Sequence, residues 1–297
     1  MSYQAIIIGV CNPRNLCYLI SMAIKKTSWG AVANWYDEML EDSKDSFQAK
    51  VILPNLLRIV DPKPGMTILD VACGQGYFSR AFAEKGAKVV GCDISPELID
   101  LAKKNSPKET DFHVAPADSL NFINKDSSTA FDIAVIVLAL QNIENITGTL
   151  SECARVLKPG GRLVVVLNHP AFRIPQSSSW QWDMNSSTES PFEKGGARRA
   201  GDFSRQYRRI DSYMSEKRLD IDMTPGEADQ HKKKFTVSFH RPLQSYFKAI
   251  NKAGFSVTRM EEWISHKKSQ EGPRAVEEDR IRKEIPMFLC IEGVKGC

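Results

Sequence analysis

Ten residues, Thr67-Ile68-Leu69-Asp70-Val71-Ala72-Cys73-Gly74-Gln75-Gly76, restrict what this chain can fold into more than any other stretch. The run opens apolar and partly β-branched and closes on small residues. That is the pattern of a buried parallel strand that breaks into a tight turn. Behind it, Tyr77 to Lys85 puts Phe78, Ala81 and Phe82 on one helical face, and Gly86 is a stop signal. The spacing therefore predicts strand, glycine turn, helix. Gly74 and Gly76 carry no Cβ, so a ligand can approach the backbone closely. The start of the helix offers free N–H groups that suit a carboxylate or phosphate.

Two classes of nucleotide-like ligand use such a turn. A dinucleotide fingerprint needs G-x-G-x-x-G. Counted from Gly74, its third glycine falls on Ser79; counted from Ala72, it falls on Tyr77. The pattern present is instead Asp-x-Ala-x-Gly-x-Gly, with an acid at the strand end.

The chain around the turn reads as alternating strands and helices. Lys88 to Cys92 is a second strand ending at Asp93, and Ser95-Pro96-Glu97 is a helix start with a cap, a proline and an acid. Phe112 to Ala115 is a short third strand and Phe131 to Leu138 a nearly continuous apolar one. A helix over Ile146 to Leu157 follows, then a turn at Lys158-Pro159-Gly160-Gly161 and a fifth strand, Arg162 to Leu167. This alternation implies a parallel sheet with right-handed crossovers. Residues 169–238 break the rhythm. They are polar with scattered aromatics such as Trp180 and Trp182, and Tyr213 to Met223 can pair with Phe235 to His240 as a hairpin. A segment this long inside a compact domain is usually functional or disordered. Beyond it come a helix opened by Pro242 (Leu243, Tyr246, Phe247 and Ile250 inward), a strand over Phe255 to Trp263, a charged loop over Ser265 to Arg282, and a last strand over Met287 to Val294.

At the start, residues 1–27 read as an N-terminal extension, expected to be poorly ordered, with Met22 as an ordinary opening residue. Helical spacing of Trp29, Val32, Trp35, Tyr36 and Met39 begins the domain proper, residues 28–297. The net charge of +4, from 40 basic and 36 acidic residues, does not argue for nucleic acid as a partner. No apolar run reaches the roughly 18 residues needed to span a bilayer. The seven cysteines include no CxxC pair. They read as reduced thiols of a cytoplasmic protein, with no disulfide framework and no metal site.

Four stretches, in order, carry a family resemblance: Ile68 to Gly76; Val90-Gly91-Cys92-Asp93-Ile94-Ser95-Pro96; Phe131-Asp132 through Gln141-Asn142; and Leu157-Lys158-Pro159-Gly160-Gly161. With them the chain, from about residue 28 to 294, resembles the class I S-adenosylmethionine (SAM) methyltransferases of the type 11 family, which includes ubiquinone- and menaquinone-biosynthesis-like enzymes. Ala72 stands where that family usually has its first glycine. The segment after strand five, at about 169–238, reads by its position and spaced aromatics as an inserted substrate lid. The resemblance implies an α/β fold: a Rossmann-like, doubly wound sheet of seven strands, the last antiparallel. It implies SAM as cofactor and methyl transfer to a small-molecule acceptor by in-line displacement.

The implied cofactor residues are Asp70, Ala72, Cys73, Gly74 and Gly76 at the turn; Asp93 and Ile94 after the second strand; Ala117 and Asp118 after the third; and Val137 and Leu138 at the end of the fourth. Tyr36 matches a Tyr-Asp pair that closes over the cofactor in relatives. A carboxylate at Asp93, about 20 residues past the turn, suits ribose hydroxyls. His169, directly after the fifth strand, is expected to face the cleft as a general base or substrate contact. Two other readings stand beside this one. Basic runs at Lys194 to Arg209 and Lys232 to Lys234 suit an RNA or protein methyltransferase, and a non-catalytic SAM-binding module would carry the same turn.

Overall fold

A computed structural model describes residues 29–30, 45–124, 131–183, 205–224, 229 and 233–296. The expected extension at 1–27 and Tyr36 lie outside the described residues. A seven-stranded sheet forms the centre: β1 (Thr67–Val71), β2 (Lys88–Asp93), β3 (Asp111–Val114), β4 (Phe131–Val137), β5 (Leu157–Asn168), β10 (Phe255–Trp263) and β11 (Phe288–Lys295). Its order is β10-β11-β5-β4-β1-β2-β3, and β11 runs antiparallel to both of its neighbours. The doubly wound sheet with an antiparallel last strand is thus as expected.

Strand periodicity explains why helices cover both faces. Leu69, Ala134, Ile136, Leu163, Val165 and Leu167 point into one buried cluster, with Leu150 and Cys153 of α4 (Ile146–Val156) and Tyr246 and Ile250 of α5 (Leu243–Lys252). Their neighbours Ile68, Ile133, Val135, Val164 and Val166 point into the opposite cluster, with Leu56 and Ile59 of α1 (Leu53–Val60) and Phe82 of α2 (Tyr77–Ala83). Strands buried on both faces read as continuous apolar runs for this reason. Phe247, expected inward on α5, is exposed, while Ala249 takes the buried place. The turn residues 158–161 lie within β5, as an irregularity between the pairs Phe131↔Leu157 and Ile133↔Arg162.

Helix α3 (Pro96–Asn105) starts as its sequence signals. Ser95 Oγ accepts from Leu98 N at 3.3 Å, and Pro96 fills the first position, where no N–H is needed. Its Ala102 packs with Cys73 and Phe112 beside β2. At Gly91 of β2, a Cβ would lie 2.6 Å from the Phe112 ring and 3.0 Å from Cys73 Sγ. Gly91→Ala is expected to cost about 1–3 kcal/mol by overpacking; an unchanged melting temperature would contradict this contact.

After β5 stand two antiparallel pairs, β6 (Ser178–Asp183) with β7 (Arg205–Ile210) and β8 (Lys217–Asp222) with β9 (Phe235–His240). The second is the expected hairpin; the first had no clear alternation to announce it. The expected charged loop over 265–282 contains the start of a helix, α6 (Ala275–Glu284). Only Ile281 of α6 is buried, so there is no apolar stripe to read. Charge order holds it: Glu277 and Glu278 in the first turn, Arg282 and Lys283 in the last, and an Arg280–Glu277 pair at 2.7 Å. Among the described residues no helix is long and apolar enough to cross a membrane, and no His, Cys, Asp or Glu cluster could hold a metal. Cys73, Cys92, Cys153 and Cys290 are buried free thiols.

Candidate functional site

The strand order reverses between β1 and β4, which leave the sheet centre in opposite winding directions. Open α/β sheets bind ligands at the carboxyl ends of such strands. A cleft lies there, with about 780 Å³ of free space including its mouth, within the ~300–1,000 Å³ usual for small-molecule sites. Its wall contains Asp70, Ala72 to Gln75, Tyr77, Phe78, Asp93, Ile94, Leu98, Val137 to Ala139, Asn142 and Ile143, with Trp29 at the side.

The turn is built for close approach. Gly74 has φ +58°, and a Cβ added there would meet nothing within 4 Å. Ala72 and Leu138, at the ends of β1 and β4, also have left-handed backbone, with φ of 56° and 53°. That conformation costs a non-glycine residue about 1–2 kcal/mol, and two such residues face one cleft. Gly76 is different. It does not line the cleft, and a Cβ there would lie 3.0 Å from the Phe112 ring and 3.2 Å from Ala102 Cβ. Its left-handed backbone (φ +79°) and this close helix-to-sheet packing both call for glycine there.

Asp93 is buried and locks the turn. Its Oδ2 accepts from Gly74 N at 3.0 Å and its Oδ1 from Ser95 N at 2.9 Å. Burial raises its pKa, while these backbone donors oppose the rise. Each oxygen keeps lone-pair capacity for a further donor. Beside it, Ile94 is 54% exposed, an apolar face on the cleft wall. Asp70 is fully buried, accepts from Ser79 Oγ at 2.6 Å, and has its pKa pushed up to about 7, chiefly by burial. Gln75 is also buried, and its Nε2 has no partner among the described residues.

Three further residues expected at the site also lie off this cleft wall. Asp118 is exposed, off the cleft wall, and accepts from Asn145 Nδ2 at 2.8 Å. Asn145 caps α4, its own Oδ1 accepting from Gly148 N, so Asp118 orients a cap. Ala117 packs against the core cluster. His169 is buried and does not line the cleft. Its Nδ1 accepts from Ala171 N at 3.2 Å, and Nε2 stands 2.7 Å from Glu262 Oε1. Nε2 therefore carries the hydrogen, and both ring nitrogens are committed. Burial lowers the His169 pKa against the pull of Glu262. The His169 ring thus stands off the cleft wall with its two nitrogens turned to Glu262 and the Ala171 backbone.

Cleft-wall residues beyond the expected set are Trp29, Gln75, Tyr77, Phe78, Leu98, Ala139, Asn142 and Ile143. All but Trp29 lie in or within two residues of motif positions along the chain, which was the available signal. Arg241 Nη2 donates to Ile143 O and Glu144 O, fixing the backbone at the cleft rim.

Residues 69–165 match the model of a family described as a methyltransferase domain. The chain is 34% identical over 148 residues to a demethylmenaquinone methyltransferase of Streptomyces avermitilis, covering 48% of this chain and 62% of the relative. It is 40% identical over 109 residues to a demethylmenaquinone methyltransferase of Tropheryma whipplei, covering 36% of this chain and 44% of the relative. The chain thus spans between two fifths and two thirds of the length of these relatives. A solved S-adenosylmethionine-dependent methyltransferase from Mesorhizobium loti has the same fold, with a TM-score of 0.60 at 23% identity, covering 84% of this chain and 98% of that one.

Proposed function

We propose that this chain, which carries a type 11 methyltransferase domain over residues 69–165, is a SAM-dependent methyltransferase acting on a small-molecule acceptor. One observation carries the reading: an open glycine turn whose Gly74 N–H is held by the buried carboxylate of Asp93, at the point where the strand order reverses. Bound SAM supplies a methyl group on a sulfonium, open to displacement in line by a nucleophile. The chain's own part is to hold and to orient. Asp93 would accept from the ribose hydroxyls with the lone pairs its backbone donors leave. Ile94 and Leu98 offer an apolar wall, and the turn at Gly74 leaves room for close approach.

A second space of about 1,240 Å³ adjoins the cleft and shares Trp29, Leu138 and Asn142 with it. Much of its wall comes from the segment after β5, including Arg173, Ile174, Ser178, Arg208, Ile221 and Ser238. This supports the reading of residues 169–238 as the acceptor side of the site. No Asp, Glu or His lines that space among the described residues. Alignment of the reacting atoms, worth several kcal/mol of barrier in well-oriented reactions, is what these residues contribute. Calorimetry is expected to show SAM binding and no NAD binding. NAD binding at micromolar strength with none for SAM would overturn the proposal.

A further inference from the structure

Beyond the second space lies a third, of about 650 Å³, and the two share Phe47, Arg173, Arg208 and Met287. Charge divides sharply along this series. The first cleft has Asp70 and Asp93 in its wall, whereas no carboxylate lines the second or third among the described residues. The two guanidinium groups on the shared wall differ in how they are held. Arg208 donates from Nε to Phe172 O at 2.8 Å and from Nη2 to Ser178 Oγ at 2.7 Å, and its guanidinium carbon lies 4.9 Å from the Trp180 ring centre. It is braced by neutral partners only. The Arg173 side chain makes no hydrogen bond or ion pair with any described residue, yet it remains exposed to water. The other two cations of the third space are already matched, Lys267 by Asp45 and Arg282 by Asp279.

We infer that the methyl acceptor carries an oxyanion, a carboxylate or phosphate group, and that Arg173 with Arg208 holds it at the wall the second and third spaces share. This rests on the methyltransferase reading above. Two guanidinium groups without an acid are mutually unfavourable. Burial lowers the pKa of Arg208, and its charge bears unfavourably on the exposed Arg173 guanidinium. An oxyanion between them removes that cost and matches the planar fork of donors. Leu138, shared by cleft and second space, marks the other end of the acceptor's path. The apolar side chains of the third space, Phe172, Trp180, Ile285 and Pro286, take what lies beyond the anion.

The test is a titration of the full chain, saturated with S-adenosylhomocysteine, with benzoate, phenyl phosphate and benzyl alcohol. At least one anion is expected to bind about 10-fold or more tightly than the neutral alcohol. Preference for benzoate or for phenyl phosphate tells carboxylate from phosphate. Arg173→Gln is expected to abolish the preference while leaving the S-adenosylhomocysteine affinity unchanged. Arg218→Gln, at an exposed position of β8, is expected to leave it intact. Should Arg173→Gln fail to fold, Arg173→Lys keeps charge and stem and is expected to lose part of the preference, because one ammonium cannot make paired bonds. Failure to bind S-adenosylhomocysteine sinks the underlying reading. Binding without anion preference, or a preference untouched by the Arg173 variants, sinks this inference alone.

Discussion

Replacing Asp93 by Ala is expected to weaken SAM binding by about 10- to 150-fold, the loss of roughly 1.5–3 kcal/mol of charge-assisted hydrogen bonding. Two losses combine. The variant lacks a carboxylate for the ribose hydroxyls. It also frees the turn, since Gly74 N and Ser95 N lose their acceptor. Those amides sit at a buried carboxylate, so each costs about 1–3 kcal/mol when left unpaired. The melting temperature should therefore fall together with the affinity. Asp93→Asn separates the effects poorly, because its NH₂ group must face one of two backbone N–H donors. A better control is Ile94→Ala, which removes apolar wall and keeps the carboxylate. It should lower affinity less than Asp93→Ala and leave the turn intact. Calorimetry on folded protein decides: an Asp93→Ala dissociation constant equal to wild type removes Asp93 from the ligand site.

The sheet was legible because its strands are buried on both faces, and such strands announce themselves as apolar runs such as Phe131 to Val137. The turn at Gly74 and the acid at Asp93 were legible for a different reason. Both sit at fixed chain distances from the strand ends that aim them. What the sequence hid were side chains whose role depends on a distant partner. His169 follows β5 as expected, but Glu262, 93 residues away, engages its ring. Asp118 follows β3 as expected, but Asn145 draws it to a helix cap. Gly76 reads like Gly74 in a motif, and only the position of Phe112 separates packing from ligand approach. Helix α6 was hidden because its stabilising order is one of charge, with a single buried residue. Arg173 and Arg208 could not be singled out from sequence either. Among 40 basic residues, an arginine without an acid is visible only once its neighbours are placed.

The other large effect concerns Asp70, and its sign is opposite to that of most carboxylates. Glu261, for example, is held down to about 2, first by Arg58, and such groups lend stability that is lost as pH falls. Asp70 has no cation beside it; its partner is the Ser79 hydroxyl, and Asp93 adds like charge. Its pKa rises from an ordinary 3.8 to about 7 in the folded chain. Between these values the folded state binds more protons than the unfolded one, so this group's contribution falls as pH rises. A shift of this size amounts to roughly 4 kcal/mol across the window, at about 1.4 kcal/mol per pH unit. Asp70→Asn keeps the acceptor for Ser79 and cannot ionise. The stability difference between variant and wild type should therefore be small near pH 4 and grow in favour of the variant up to about pH 7, then level off. Comparing the two proteins cancels the opposite trends of Glu261 and the other paired carboxylates. Because an added positive charge favours the ionised acid, saturating SAM, which carries a sulfonium, should flatten the wild-type curve more than neutral-sulfur S-adenosylhomocysteine. Chemical denaturation of both proteins from pH 4 to 8 reads the difference directly, and parallel stability curves would show that Asp70 is already ionised in the folded chain.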